Sequence, residues 1–106
     1  MEWKPTPMMP YMTVTDEPGI YLEGRFGVRI ENTLITMPDR ETECGRFLRF
    51  ETLTLCPIDT TPIIIEMLTD EEKQWLNTYH EQVREALLPH LNSDEQQWLT
   101  QATQAI

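Results

Sequence analysis

The chain has 106 residues, room for one small domain with a modest core. Eighteen Asp and Glu against eight Lys and Arg leave a net charge of −10, which repels phosphate backbones and anionic membranes and so excludes nucleic acid and membrane as partners. A hydrophobic fraction of 40% with three Trp, three Tyr and three Phe excludes wholesale disorder, and the short length argues against an intact multi-part enzyme.

Residues 1–10 carry Pro5, Pro7 and Pro10, which withhold backbone donors and favour extended conformations. This stretch is an arm, and Trp3, Met8 and Met9 on it need a surface to lie against. No apolar core of a signal peptide follows Met1, and no run approaches the about 18 apolar residues of a membrane span, which points to a soluble, cytoplasmic chain. Cys44 and Cys56 form no C-x-x-C pair and read as free thiols in a reducing compartment; with His80 and His90 distant, they offer no zinc-ligand spacing.

From Met12 the pattern alternates, Met12 and Val14 on one side and Thr13, Thr15 and Glu17 on the other, as a half-buried strand does. Pro18-Gly19 breaks it, Glu23-Gly24 adds a turn, and the alternation resumes with Phe26, Val28, Ile30 and Leu34 on one face and Arg29, Glu31 and Thr33 on the other. These features predict an antiparallel hairpin. A polar loop at 38–45 should lead into short strands at 47–50 and 53–56 of the same sheet, and the apolar run 63–65 should pack under another segment. Thr69-Asp-Glu-Glu72 is a capping box that opens an amphipathic helix ending near Pro89. Ser93-Asp-Glu-Gln96 repeats the capping logic for a shorter second helix, and Trp75 and Trp98 are expected at the contact between the two. His80 is expected on a surface or partly packed helix face, and His90 at a helix C-terminus.

If the hairpin turns near Gly24, Glu17 lies across from Glu31 on the polar face. Opposed like charges are unfavourable in a bare sheet, so a divalent cation, a shared proton or a neighbouring arginine must compensate. Paired carboxylates are hard oxygen ligands of the kind manganese and magnesium prefer, and Arg29, two residues before Glu31 on the same face, could orient it. On spacing alone the competing reading is a solvated ion-pair cluster. Two carboxylates do not complete a site that wants about six ligands, and Asp16 falls on the wrong face.

Thr15-Asp-Glu17-Pro-Gly-Ile-Tyr21 and Gly24-Arg-Phe-Gly-Val-Arg29-Ile-Glu31-Asn32 resemble the E-P-G-x-Y and G-x-R-x-E-N signatures of the Xaa-Pro aminopeptidases (aminopeptidase P), metallopeptidases of the pita-bread fold. Phe50-Glu-Thr-Leu-Thr-Leu-Cys-Pro57 and the stretch from Leu68 to His80 are similar to the C-terminal extension of the long members. The resemblance implies hydrolysis of the bond between an N-terminal residue and a following proline, by a water held between two divalent ions, usually manganese. It places Glu17 as a metal ligand that shares in activating the water and Glu31 as a bridging ligand. Tyr21 and Arg29 fall on positions that hydrogen-bond within the ligand network. Two Asp and one His ligand of the family have no counterpart here, so the chain alone is expected to bind no metal and to be inactive. In place of the family's Pro-Gly-Met, this chain has Pro10-Tyr11-Met12, which bears on the turn geometry there.

The expectation is therefore an α+β chain: residues 1–57 as the C-terminal part of a pita-bread catalytic domain, an antiparallel sheet, then residues 58–106 as an extension with two helices. Its partners are proline-second peptides and the upstream part of the same protein, whose absence would uncover sheet edges and permit a homodimer. The alternative is a free-standing acidic protein-interaction module without catalysis.

Overall fold

A computed structural model describes residues 4–106; Trp3 lies outside them. The chain divides into two compact units, one reaching to Thr54 and the other Leu55–Ile106.

The first unit is built of β1 (Thr13–Asp16), β2 (Gly19–Leu22), β3 (Phe26–Arg29), β4 (Asn32–Thr42) and β5 (Gly45–Thr52). β1, β4 and β5 form a three-stranded antiparallel sheet in the order β1-β4-β5, and β2 pairs with β3. In both the β1–β4 and the β2–β3 ladder the partners are equidistant from Gly24: Thr13 faces Ile35 at one end and Leu22 faces Phe26 at the other. The register expected from the turn is thus the observed one, carried across the break by Ile30 N–H donating to Pro18 C=O at 3.3 Å. Gly24 closes the tip with φ 67° in the turn where Arg25 N–H reaches Leu22 C=O at 3.0 Å. That left-handed torsion is what a glycine supplies without steric cost.

Three expectations for this unit are corrected. Residues 38–42 are not loop: β4 continues through Pro38 to Thr42, and two residues, Asp39 and Arg40, face the single Phe47, a bulge that shifts the register between Pro38 and Glu41. Beyond it Glu41 stands opposite Arg46, so the polar composition reflects a solvated ribbon with opposite charges across it. Residues 53–56 are not a strand. Leu53 N–H still donates to Thr33 C=O at 2.8 Å, but Thr33 N–H then bonds the Thr54 hydroxyl at 2.7 Å, so a side chain takes the acceptor's place and the ladder stops. Finally, Gly19 does not belong to the break after Glu17: it opens β2.

At the start of the unit, Met12 N–H donates to Met9 C=O at 3.3 Å around Pro10-Tyr11, and Tyr11 has φ 69°. The third position of such a turn favours glycine, and a tyrosine occupies it.

In the second unit α1 (Asp70–Leu87) starts at the expected capping box: Glu72 N–H donates to Thr69 Oγ1 at 3.2 Å and Thr69 N–H to Glu72 Oε2 at 2.8 Å. Three acids in its first turn match the positive end of the helix dipole. α2 (Ser93–Ala102) is capped one residue earlier than expected, by Asn92, whose Oδ1 accepts from Asp94 and Glu95 N–H while Glu95 Oε2 accepts from Asn92 N–H. Asparagine is as good a cap as serine, and here its glutamate partner sits three residues on.

Leu76, Tyr79, His80 and Val83 recur at helical spacing on one face of α1, and Leu99 of α2 packs with Tyr79 and Val83, flanked by Ile58, Leu87, Leu88 and Leu91. Burying each of the larger aliphatic side chains stabilises the unit by about 1.5–3 kcal/mol. Trp75 and Trp98 are not in this core; both are exposed. Each precedes a leucine, Leu76 and Leu99, that takes the inward direction, and Trp75 instead stacks on Tyr79 at 5.8 Å between ring centroids. His80, expected near the surface, is fully buried. Its Nε2 accepts from Ile58 N–H at 3.0 Å, so the ring proton sits on Nδ1, which has no hydrogen-bond partner among the described residues. Tyr79 Oη donates to Cys56 C=O at 3.1 Å, and with the His80 bond this pins residues 56–58 to the helix. Of the run 63–65, Ile64 and Ile65 are exposed within the unit, the latter opening a short 3-10 turn, Ile65–Met67. No described helix is long and apolar enough to cross a membrane.

Candidate functional site

Alternation along β1–β2 and β3–β4 sends the odd-numbered side chains of residues 15–21 and 27–33 to one face of the ribbon. Glu17 and Glu31 stand at the gap between the two ladders, where Pro18 breaks the pairing and the shared register sets them across from each other.

Arg29 fills that gap. Its Nη1 lies 3.2 Å from Glu17 Oε2 and 3.7 Å from Glu31 Oε2, while its Nε donates to Tyr21 Oη at 2.6 Å. Arg29, expected to orient Glu31, approaches Glu17 more closely. The remaining oxygen of Glu17, Oε1, accepts from Thr15 Oγ1 at 2.6 Å. Tyr21 thus anchors one edge of the guanidinium, its ring centroid 5.7 Å from the guanidinium carbon, and the other edge spans the two acids. The Arg29 proton is held more firmly than in a free arginine, first by the hydrogen bond and charge of the Tyr21 oxygen and then by Glu17 and Glu31.

The three charged side chains are each nearly half exposed, so their ion pairs add little to stability. What the arrangement achieves is placement. Two carboxylates that would repel are drawn to one point by a cation, with four hard oxygens between them. Their chemistry suits a hard divalent ion, and the arginine beside them supplies positive charge that offsets their repulsion. Among the described residues no group of three or more His, Cys, Asp or Glu is placed to hold a metal ion. His80 is engaged with the backbone of its own unit, His90 is exposed, and Cys44 and Cys56 are exposed free thiols.

The structure thus gathers Glu17, Tyr21, Arg29 and Glu31 into one cluster. Three members escaped the sequence reading. Thr15 shares the alternation phase of Glu17, which was signal enough to include it. Gly19 and Gly27 lie beneath the Tyr21 ring, where an added Cβ would come within 2.5 Å of it. Glycine inside an alternating strand is the signal that marks them.

Residues 46–106 match the family described as the C-terminal region of peptidase M24, and residues 2–37 match metallopeptidase family M24. The chain belongs to the M24 metallopeptidases. Among similar proteins, "Aminopeptidase P1" of Arabidopsis thaliana is 43% identical over 94% of this chain and 16% of the relative. A "Probable Xaa-Pro aminopeptidase P" of Coprinopsis cinerea is 41% identical over 90% of this chain and 16% of the relative. The solved X-prolyl aminopeptidase of Caenorhabditis elegans, described as a cytosolic enzyme with a di-nuclear active site, superposes with a TM-score of 0.81 at 35% identity, over 93% of this chain and 17% of that one. This M24 chain therefore corresponds to the C-terminal part of Xaa-Pro aminopeptidases and spans 16% of the length of the relatives named above. The expected α+β class, antiparallel strands followed by two helices, is the fold it shares with the nematode enzyme.

Proposed function

We propose that this chain belongs to a metal-dependent Xaa-Pro aminopeptidase that releases an N-terminal residue preceding proline, and that Glu17 and Glu31 are two of the ligands of a pair of divalent ions, manganese being the ion the family resemblance implies. The carrying observation is the Glu17–Arg29–Glu31 cluster, two carboxylates converging on one cation on one face of a ribbon in an M24 chain. The donors fit: they are hard oxygens already brought together, and two carboxylates would leave a hard divalent ion with open coordination positions for further ligands. When bound, the ions supply a water of lowered pKa as nucleophile.

Glu17 would be one of the residues that hold the ions and could accept a proton there, and Thr15, bonded to its Oε1, fixes the orientation of the carboxylate. Arg29 offsets the mutual repulsion of the two carboxylates, which would otherwise push the strands apart. Tyr21 holds Arg29 in the plane where it can serve both. Substrates are peptides with proline second, and the remaining ligands come from sequence that this segment does not contain. Residues 1–57 carry the catalytic contribution and residues 58–106 are the extension. The nematode relative's printed description as cytosolic supports a cytoplasmic setting.

Glu31→Gln in the complete enzyme tests the reading: it keeps shape while removing charge. The expected result is loss of manganese-dependent release of the first residue from an X-Pro peptide, with the melting curve barely moved. Undiminished turnover overturns the ligand assignment. The isolated chain is expected to show no such release, and measurable turnover by it would count against the division of ligands.

A further inference from the structure

We infer that Gly19 and Gly27 form a bare seat that positions Tyr21 and, through it, fixes Arg29 between the two carboxylates. The inference rests on the reading of Glu17 and Glu31 as metal ligands. In the β2–β3 ladder Gly27 faces Tyr21 directly, and Gly19 lies two residues before it on the same face. A Cβ at Gly19 would stand 2.5 Å from Tyr21 Oη, 2.8 Å from Cζ and 2.9 Å from Cε2. At Gly27 it would stand 2.5 Å from Cδ1 and 3.1 Å from Cε1. The ring therefore lies flat across the ribbon, one glycine beneath its hydroxyl end and the other beneath the opposite edge. Backbone torsion does not explain these glycines: the positive-φ glycines are Gly24 and Gly45. Glycine weakens a strand interior, and what it provides here is close approach of a side chain to the backbone.

The two seats differ in what they protect. A methyl at Gly19 meets the oxygen that holds Arg29 Nε at 2.6 Å, so it displaces the anchor itself. Arg29 then loses the constraint that keeps it shared, and its closer partner, Glu17 at 3.2 Å, draws it away from Glu31 at 3.7 Å. A methyl at Gly27 tilts the ring from its near edge and reaches the hydroxyl only indirectly. Gly19 and Gly27 are positioning residues. Neither touches a carboxylate in any polar contact of the cluster.

The test is a double-mutant cycle in the complete enzyme, reading Mn2+ affinity by calorimetry alongside kcat/KM on an X-Pro peptide. Gly19→Ala is expected to weaken both by about tenfold or more, the scale seen when partners of metal ligands are lost. In a Tyr21→Ala background the same change should add almost nothing, since the seat then holds no ring. Gly24→Ala adds a methyl with nothing within 4 Å but strains a turn of φ 67°, so it reads a backbone cost alone, which should be the same with and without the Tyr21 ring. An equal cost of Gly19→Ala with and without the Tyr21 ring overturns the inference, as does no cost at all. If Gly19→Ala lowers the folded yield, Tyr21→Ala should restore it, and a yield left unrestored also overturns it. A silent Glu31→Gln would instead sink the ligand reading, which keeps the two failures apart.

Discussion

The two units of this chain reach order by different means. The helical unit has a buried apolar core of Leu76, Tyr79, Val83 and Leu99, and both its helices begin with reciprocal capping boxes. In the ribbon unit, by contrast, the buried residues among those described are polar, Asn32 and Thr36, while Ile20, Phe26, Val28 and Ile30 on the face opposite the acids are exposed. Its definition comes from backbone ladders, a fixed register and one charged cluster. A ribbon with one charged face and one open apolar face relies on backbone hydrogen bonds and register, whereas the helical unit has its stability written in its own packing.

That contrast can be broken most forcefully at Leu99. Leu99→Ala empties a fully buried position and should cost about 3 kcal/mol, read as a lowered midpoint in denaturant-induced loss of helical circular dichroism. Phe26→Ala, exposed in the ribbon, should cost well under half as much. Equal losses would show that the helical core is not the stability reserve of the chain.

Acidity separates the units next. Burial holds the His80 pKa below its ordinary value, against the hydrogen bond from Ile58, and Arg84 pushes in the same direction as burial. The unfolded chain therefore binds the proton more readily than the folded one. Stability is complete above about pH 6.5 and falls as pH drops below it toward the lowered folded value, by at most about 1.4 kcal/mol per pH unit. The capping carboxylate Glu72 is shifted down by its bonds from Thr69, so its contribution fades only at more acid pH. A helical unit that melts at the same temperature at pH 7.5 and pH 5.5 would contradict the burial of a neutral His80.

The smallest effect should be a gain. Tyr11→Gly relieves a left-handed torsion at an exposed turn position and is expected to raise ribbon stability by about 1 kcal/mol, measurable as slower amide exchange at Thr36, whose N–H bonds Met12 C=O at 2.9 Å. Unchanged or faster exchange would mean that the tyrosine side chain contributes more than its torsion costs.

How legible was this in the sequence? The ribbon register followed from a single turn residue, because a side-chain period of two lets one fixed point determine every partner. The Thr69 box was equally plain, its two halves being local. What resisted reading was set by competition between neighbours. Trp75 and Trp98 look like core residues until Leu76 and Leu99 claim the inward direction. Asn92 and Ser93 are both good caps, and only the partner three residues on, Glu95 against Gln96, decides between them. Strand residues 38–42 read as loop because proline and charges signal a turn when pairing is unseen. In the cluster, the proximity of Glu17, Tyr21, Arg29 and Glu31 could be read from alternation and register, whereas the glycines beneath Tyr21 could not, since an absent side chain carries no pattern of its own.

The doubled position at Asp39 and Arg40 separates β4 into two reading frames. Up to Pro38 the strand keeps the parity that continues from Glu31 and Thr33; from Glu41 onward inside and outside are exchanged relative to its partner. Lengthening or shortening the Thr42–Gly45 tip, with its Cys44, can therefore be absorbed distally, leaving the phase of the acid-bearing end untouched.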